Sequence, residues 1–209
     1  EDSDITHVEG KIAPLADIET IETELMLADL DSLEKRVDNL AKKAKGNDKD
    51  AKEALDLVNR ALVLLREGRP ARFLERKPEE ERAFNMLGLL TSKPVLYVCN
   101  VEESKAASGN SQSDRVAEMA AKQGAASVVI SARIEEELAQ LPEDEAVMFL
   151  EEMGLHEAGL DRLIKAGYAL LGLQTYFTVG PKEARAWTIS KGTLAPQAAG
   201  VIHGDFEKG

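Results

Sequence analysis

The chain has 209 residues, 31% of them charged, and a formal net charge of −12. That length allows one large domain or two smaller units, and the acidity works against non-specific attachment to nucleic acid or an anionic membrane, so any RNA contact needs a local basic patch. With 4% aromatics and one cysteine, the expected core is aliphatic and helix-lined, and an intrachain disulfide is excluded.

The opening "EDSDITHVEG" has neither a basic stretch nor an apolar one of the secretory type, and no apolar run approaches the roughly 20 residues that span a bilayer. The expected setting is cytoplasmic, with no membrane partner. From Asp17 to Lys45 helical periodicity dominates. Ile18, Ile21, Leu25 and Ala28 form one stripe, Leu30, Leu33, Val37, Leu40 and Ala44 continue it, and the register shifts near Leu27 to Leu30. Lys45-Gly46-Asn47-Asp48 breaks the helix and caps the next, in which Ala51, Leu55, Val58, Leu62 and Leu65 recur at 4-3-4-3 spacing. Two such helices joined by a tight loop predict an antiparallel hairpin that projects as an arm.

Gly68-Arg69-Pro70 ends the arm, and "KPEEERAFNMLGLL" predicts a further helix with Pro78 in its first turn. A strand is expected over Val95 to Cys99, with Cys99 as a buried structural thiol. A helix from about Ser113 to Gln123 follows, then a β-branched strand over Ser127 to Ile130, and helices near 134–139, 143–153 and 159–170. The order strand, helix, strand, helix predicts a parallel, doubly wound sheet. Beyond Gly172, "LQTYFTV" and "ARAWTIS" flank Gly180-Pro181-Lys182-Glu183 as a β-hairpin, and a helix is expected over Ala195 to Ile202. A hairpin and one helix are too little for a separate domain, so the reading is of a truncated module, with the start of the chain equally incomplete.

In open parallel sheets ligands bind beyond the carboxyl ends of the strands. Asn100-Val101-Glu102-Glu103 occupies one such end and Ser131-Ala132-Arg133 the other. An asparagine offers both an amide donor and a carbonyl acceptor, so it can meet a purine edge while bracing a neighbouring loop. The spacing alone leaves two readings open, an ordinary solvated turn and a device for reading a base.

Four stretches bear on this: "DITHVEGKIAPLADIETIETELMLADLDSLEKR", "LLTSKPVLYVCNVEE", "VVISARIEEELAQL" and "GLQTYFTVGPKEARAWTISKGTLAPQAAGVIHGDFEKG". Together they resemble the YchF or Obg-like ATPase family of P-loop proteins, over essentially the whole chain. The resemblance implies an α/β fold: part of a P-loop NTPase parallel sheet with an inserted antiparallel α-helical coiled coil, followed by an incomplete β-grasp (TGS) module. The implied domains are the C-terminal part of the nucleotide-binding domain at 1–15 and 70–172, the coiled-coil hairpin at 16–69, and the TGS module at 173–209. Where related GTPases carry Asn-Lys-x-Asp, this chain has Val101 at the lysine place and Glu103 at the aspartate place. The longer carboxylate cannot occupy the guanine-reading position without shifting, and adenine has no 2-amino group to meet it, so the resemblance implies a preference for ATP over GTP. Asn100 would hold the purine edge, the Val101 backbone would contact adenine, and Ser131 and Ala132 correspond to the second base loop.

No G-x-x-x-x-G-K-[ST] occurs in the sequence, so the chain has no phosphate cradle and no P-loop hydroxyl for Mg²⁺. The resemblance implies that the intact protein uses ATP and Mg²⁺ and hydrolyses ATP, that this chain holds no catalytic residue, and that it is inactive alone. Lys42, Lys43, Lys45, Lys49 and Lys52 gather at the tip of the helical hairpin. Dipole compensation explains the first three but not Lys49 and Lys52, which open a helix. They are the candidate contacts to a ribosome, through rRNA or tRNA. A monomer is expected.

Three features have plainer explanations. Of Trp187, Tyr176 and Phe177, alternation places at least two in a core, leaving at most one to stack on RNA. His7 and His203 have no partner for a metal site, and Glu79 to Glu81 and Glu135 to Glu137 read as solvated helix faces. The rival functional reading is a non-catalytic RNA- or protein-binding module with vestigial base loops.

Overall fold

A computed structural model describes residues 13–46 and 48–208. His7 and the 1–12 part of the segment assigned to the nucleotide domain lie outside them. The chain divides into a helical unit, Ala13–Pro94, and an α/β unit that among the described residues begins at Val95.

In the helical unit Pro14 opens α1 (Pro14–Lys45), a position where its missing N–H costs nothing. Gly46 closes α1, and the Asp48 side chain then accepts the Ala51 N–H at 3.1 Å to start α2 (Lys49–Arg66). The two helices run antiparallel, and an ion pair at 2.7 Å joins Arg66 to Glu34. Leu33, Leu57, Val58, Ala61 and Leu65 are buried between them together with Ala71, Leu74, Phe84, Leu87 and Leu89. The unit therefore takes in residues 70–94, which the sequence division joined to the nucleotide domain. Their apolar side chains complete the core that α2 would otherwise leave open. The helix expected after Pro78 is a 3₁₀ turn followed by the short α3 (Glu81–Met86).

The buried face of α1 differs from the expected stripe. In its first half Ile21 and Leu25 are 60% and 37% exposed and Met26 and Asp29 are buried, whereas Leu33 is buried and Leu30, Val37 and Leu40 pack on the same core as expected. Two acids on the inward side have matched partners. Glu22 pairs with Arg72 at 2.6 Å, and the Asp29 carboxylate accepts from the Leu90 N–H, the Thr91 N–H and the Thr91 hydroxyl at 2.8, 2.9 and 2.7 Å. The register shift near Leu27 to Leu30 thus marks a buried carboxylate that fixes a distant turn.

In the α/β unit β1 (Leu96–Asn100) and β2 (Ala126–Ile130) pair in parallel, with Asn100 opposite Ile130. Between them lies α4 (Ser111–Lys122), capped by the Asn110 side chain. Gly109 before the cap has φ +71°, and a Cβ there would lie 2.6 Å from Ser113 Oγ, so glycine is required twice over. After β2 come α5 (Ala132–Leu138), α6 (Glu143–Glu152) and α7 (Gly159–Leu170), with α7 packed on both strands. Ile134 and Leu155 are buried in a small cluster with Ala106. Cys99, expected to be buried, is partly so.

β3 (Leu173–Val179) and β4 (Ala184–Ser190) form the expected antiparallel hairpin, followed by α8 (Ala195–Ile202) and α9 (Asp205–Lys208). Tyr176 lies opposite Trp187. The Tyr176 hydroxyl donates to the Ala198 carbonyl at 2.7 Å, and Trp187 Nε1 donates to Thr178 at 2.9 Å. Phe177, on the other face, is 76% exposed.

Candidate nucleotide-base site

The register of β1 and β2 places two polar loops side by side at the carboxyl ends of the strands. The ladder continues one bond past the strands, from the Val101 N–H to the Ile130 carbonyl at 2.9 Å. Asn100 Oδ1 then accepts the Ala132 N–H at 2.9 Å, and Glu103 Oε1 meets Arg133 Nε at 2.8 Å. All five residues singled out, Asn100, Val101, Glu103, Ser131 and Ala132, lie at the carboxyl ends of β1 and β2 or just beyond them.

What remains free decides what the loops can recognise. The N–H groups of Val101 and Ala132 are engaged, and Val101 as a whole residue is buried at 1% exposure. Among the described residues Asn100 Nδ2 has no partner, which leaves one donor at the end of β1, while the Val101 carbonyl is covered with the rest of its residue. The Ser131 hydroxyl is buried and unpartnered, so it is closed to a ligand.

Two residues outside the expected set support the site. Arg133, in the first turn of α5, and Glu103 each stand three positions beyond the register pair Asn100–Ile130. Glu135, expected on a solvated face, accepts the Gly159 and Leu160 N–H groups at 2.7 and 3.1 Å and so caps α7. Glu80 likewise departs from the solvated reading, since it pairs with Arg60 at 2.7 Å.

The five lysines lie at the hairpin tip as expected, Lys42, Lys43 and Lys45 in the last turn of α1 and Lys49 and Lys52 in the first turn of α2. Acids are interspersed: Lys35, Arg36 and Lys43 share a groove of about 740 Å³ with Asp48, Asp50 and Glu53. Among the described residues no group of three His, Cys, Asp or Glu side chains could hold a metal, and no helix is long and apolar enough to cross a membrane.

The fold is α/β, with polar loops where parallel strands end, a ligand-binding position in sheets of this kind. The solved structure of the Schizosaccharomyces pombe YchF GTPase matches 99% of this chain with a TM-score of 0.83 and 34% identity, over 57% of its own length. The Ribosome-binding ATPase YchF of Bacillus subtilis (strain 168) is 49% identical over 210 residues, covering 100% of this chain and 57% of that protein. Obg-like ATPase 1 of Rattus norvegicus is 40% identical over 215 residues, 100% of this chain and 54% of that protein. The family model YchF-GTPase_C, described as a protein of unknown function (DUF933), matches residues 173–209. Over its full length the chain is homologous to the YchF and Obg-like ATPases. It spans 57% and 54% of the two curated relatives.

Proposed function

We propose that these residues supply the purine-reading loops of a ribosome-associated protein that binds ATP in preference to GTP and hydrolyses it. The observation that carries the base preference is that both nearby backbone N–H groups and the Glu103 carboxylate are engaged, which leaves the Asn100 amide as the free donor at the end of β1. Asn100 Nδ2 donates, which suits the N7 acceptor of either purine. The 6-oxo group of guanine is an acceptor and needs a donor. The two nearby N–H groups that could have met a 6-oxo group are engaged with Ile130 and Asn100.

The phosphate and Mg²⁺ contacts, and with them hydrolysis, are assigned to residues outside this chain, which alone is inactive. Base contacts without a phosphate cradle leave only weak affinity. Residues 16–69 are read as a coiled-coil arm, 1–15 and 70–172 as nucleotide domain, and 173–209 as part of a TGS module. The relatives' name, Ribosome-binding ATPase, together with the five tip lysines, supports a ribosomal partner. The expected setting is a cytoplasmic monomer.

Calorimetry of the intact protein with ATP and GTP tests the reading. ATP is expected to bind more tightly, and equal affinity for the two would remove the base-preference argument. For the arm, Lys42, Lys45 and Lys49 changed together to Glu should reduce co-sedimentation with ribosomes and flatten its salt dependence. Unchanged binding would exclude the tip.

A further inference from the structure

We infer that Arg133 is a positioning residue for base specificity: it holds the Glu103 carboxylate away from the purine edge and so favours adenine without touching the base. The inference rests on the purine-reading site proposed above. Its basis is that the two loops are joined at two points, first by Asn100 Oδ1 to the Ala132 N–H at 2.9 Å and then by Glu103 Oε1 to Arg133 Nε at 2.8 Å. The first bond fixes where the base donor stands. The second fixes where the only carboxylate in this pair of bridges stands.

The position of that carboxylate matters because purines differ on the edge beyond the six-position. Guanine presents N1–H and a 2-amino group, both donors, whereas adenine presents a lone pair at N1 and no donor at C2. A free carboxylate beside that edge would attract guanine and repel adenine. Glu103 opens a 3₁₀ turn, Glu103–Lys105, whose following residue Ala106 is buried at 2% exposure, so the backbone under it is anchored. Its side chain is 39% exposed and that of Arg133 64% exposed, so the carboxylate can reach solvent and ligand when released. Held by the guanidinium, it is neutralised and one of its oxygens is occupied. Guanine must break the ion pair to use it, and adenine meets no net negative charge.

An exposed pair of this kind has a modest effect, and the readout must be chosen to isolate it. The ratio of ATP to GTP affinities serves, since the phosphates are common to both nucleotides and cancel. In the intact protein, measured by competition against a fluorescent adenine nucleotide, Arg133→Ala should lower the ratio about two- to fivefold. The same substitution in a Glu103→Ala background should leave the ratio unmoved, because no carboxylate remains to position. In the unsubstituted protein the ratio should also fall as salt rises from about 0.05 to about 0.5 M, and Arg133→Ala should remove that dependence.

A ratio unchanged by Arg133→Ala and by salt would overturn the inference and leave the base site standing. Affinities for both nucleotides that ignore Asn100→Asp would overturn the base site itself. The salt series needs no variant, so a failure of Arg133→Ala to fold would not shelter the inference.

Discussion

Asp29 and Thr91 are 62 residues apart, yet the Asp29 carboxylate accepts both the backbone N–H and the hydroxyl of Thr91, at 2.9 and 2.7 Å. Thr91 Oγ1 in turn accepts the Ala71 N–H at 3.0 Å. One buried side chain in the middle of α1 thereby ties together two short 3₁₀ turns, Ala71–Phe73 and Leu90–Ser92. Asp29→Ala strands a hydroxyl and two N–H groups. The loss of unfolding free energy in urea should be on the order of 3 kcal/mol, far above the effect of Ile21→Ala on the exposed face of the same helix.

Glu135 makes a comparable anchor in the α/β unit. Its carboxylate caps α7, and a Cβ added at Gly159 would lie 2.7 Å from Glu135 Oε1 and 3.0 Å from Ile130 Cγ2. Glu135→Ala should cost about 1 kcal/mol through the lost cap. Gly159→Ala should cost about 1 to 3 kcal/mol because both neighbours must move. Since Ile130 ends β2 immediately before the Ser131-Ala132 loop, Gly159→Ala should also weaken nucleotide binding in the intact protein, which calorimetry would detect.

The two roles of Asn100 can be separated by a single-atom change. Asn100→Asp keeps an oxygen to accept the Ala132 N–H but removes the donor, so the loops stay joined while the N7 contact is lost. Affinity for ATP and GTP should fall together by about tenfold or more, with stability nearly unchanged.

Ser131→Ala makes the opposite prediction. It removes a buried hydroxyl that has no partner, so stability should hold or rise by up to about 1 kcal/mol. Nucleotide affinity should stay the same.

The helical unit should lose stability in acid for a nameable reason. The Arg60 guanidinium, and after it the Lys77 N–H, hold the Glu80 carboxyl below its ordinary value of 4.5. A carboxyl whose pKa is lower in the folded state contributes stability above the unfolded value and loses it as pH falls through the folded one. Melting temperature should therefore decline from about pH 4.5 downward. Glu80→Gln should start lower at neutral pH and show a shallower decline.

The regular elements could be read from the sequence because they rest on local pattern. The helical hairpin, the parallel strands, the antiparallel hairpin and α8 fall within a few residues of expectation, since apolar periodicity and the Gly, Pro and Asp breaks determine them. The buried face of α1 could not be read that way. Periodicity assigns polar residues to solvent, whereas Glu22 and Asp29 face inward to partners 50 and 62 residues away. The role of Glu135 was hidden for the same reason, its partners lying 24 and 25 residues on. At the candidate site, the strand ends and Asn100 were visible as sequence. The bond from Asn100 to Ala132 and the one from Glu103 to Arg133 required the register of β1 against β2.

That register has a kinetic consequence. The Val101 N–H bond to the Ile130 carbonyl extends the sheet ladder into the loops, so they inherit the rigidity of the strands and need little ordering when a ligand arrives. Association should then be a single fast step without a slow conformational phase, and differences in affinity among variants of these loops should appear in the dissociation rate.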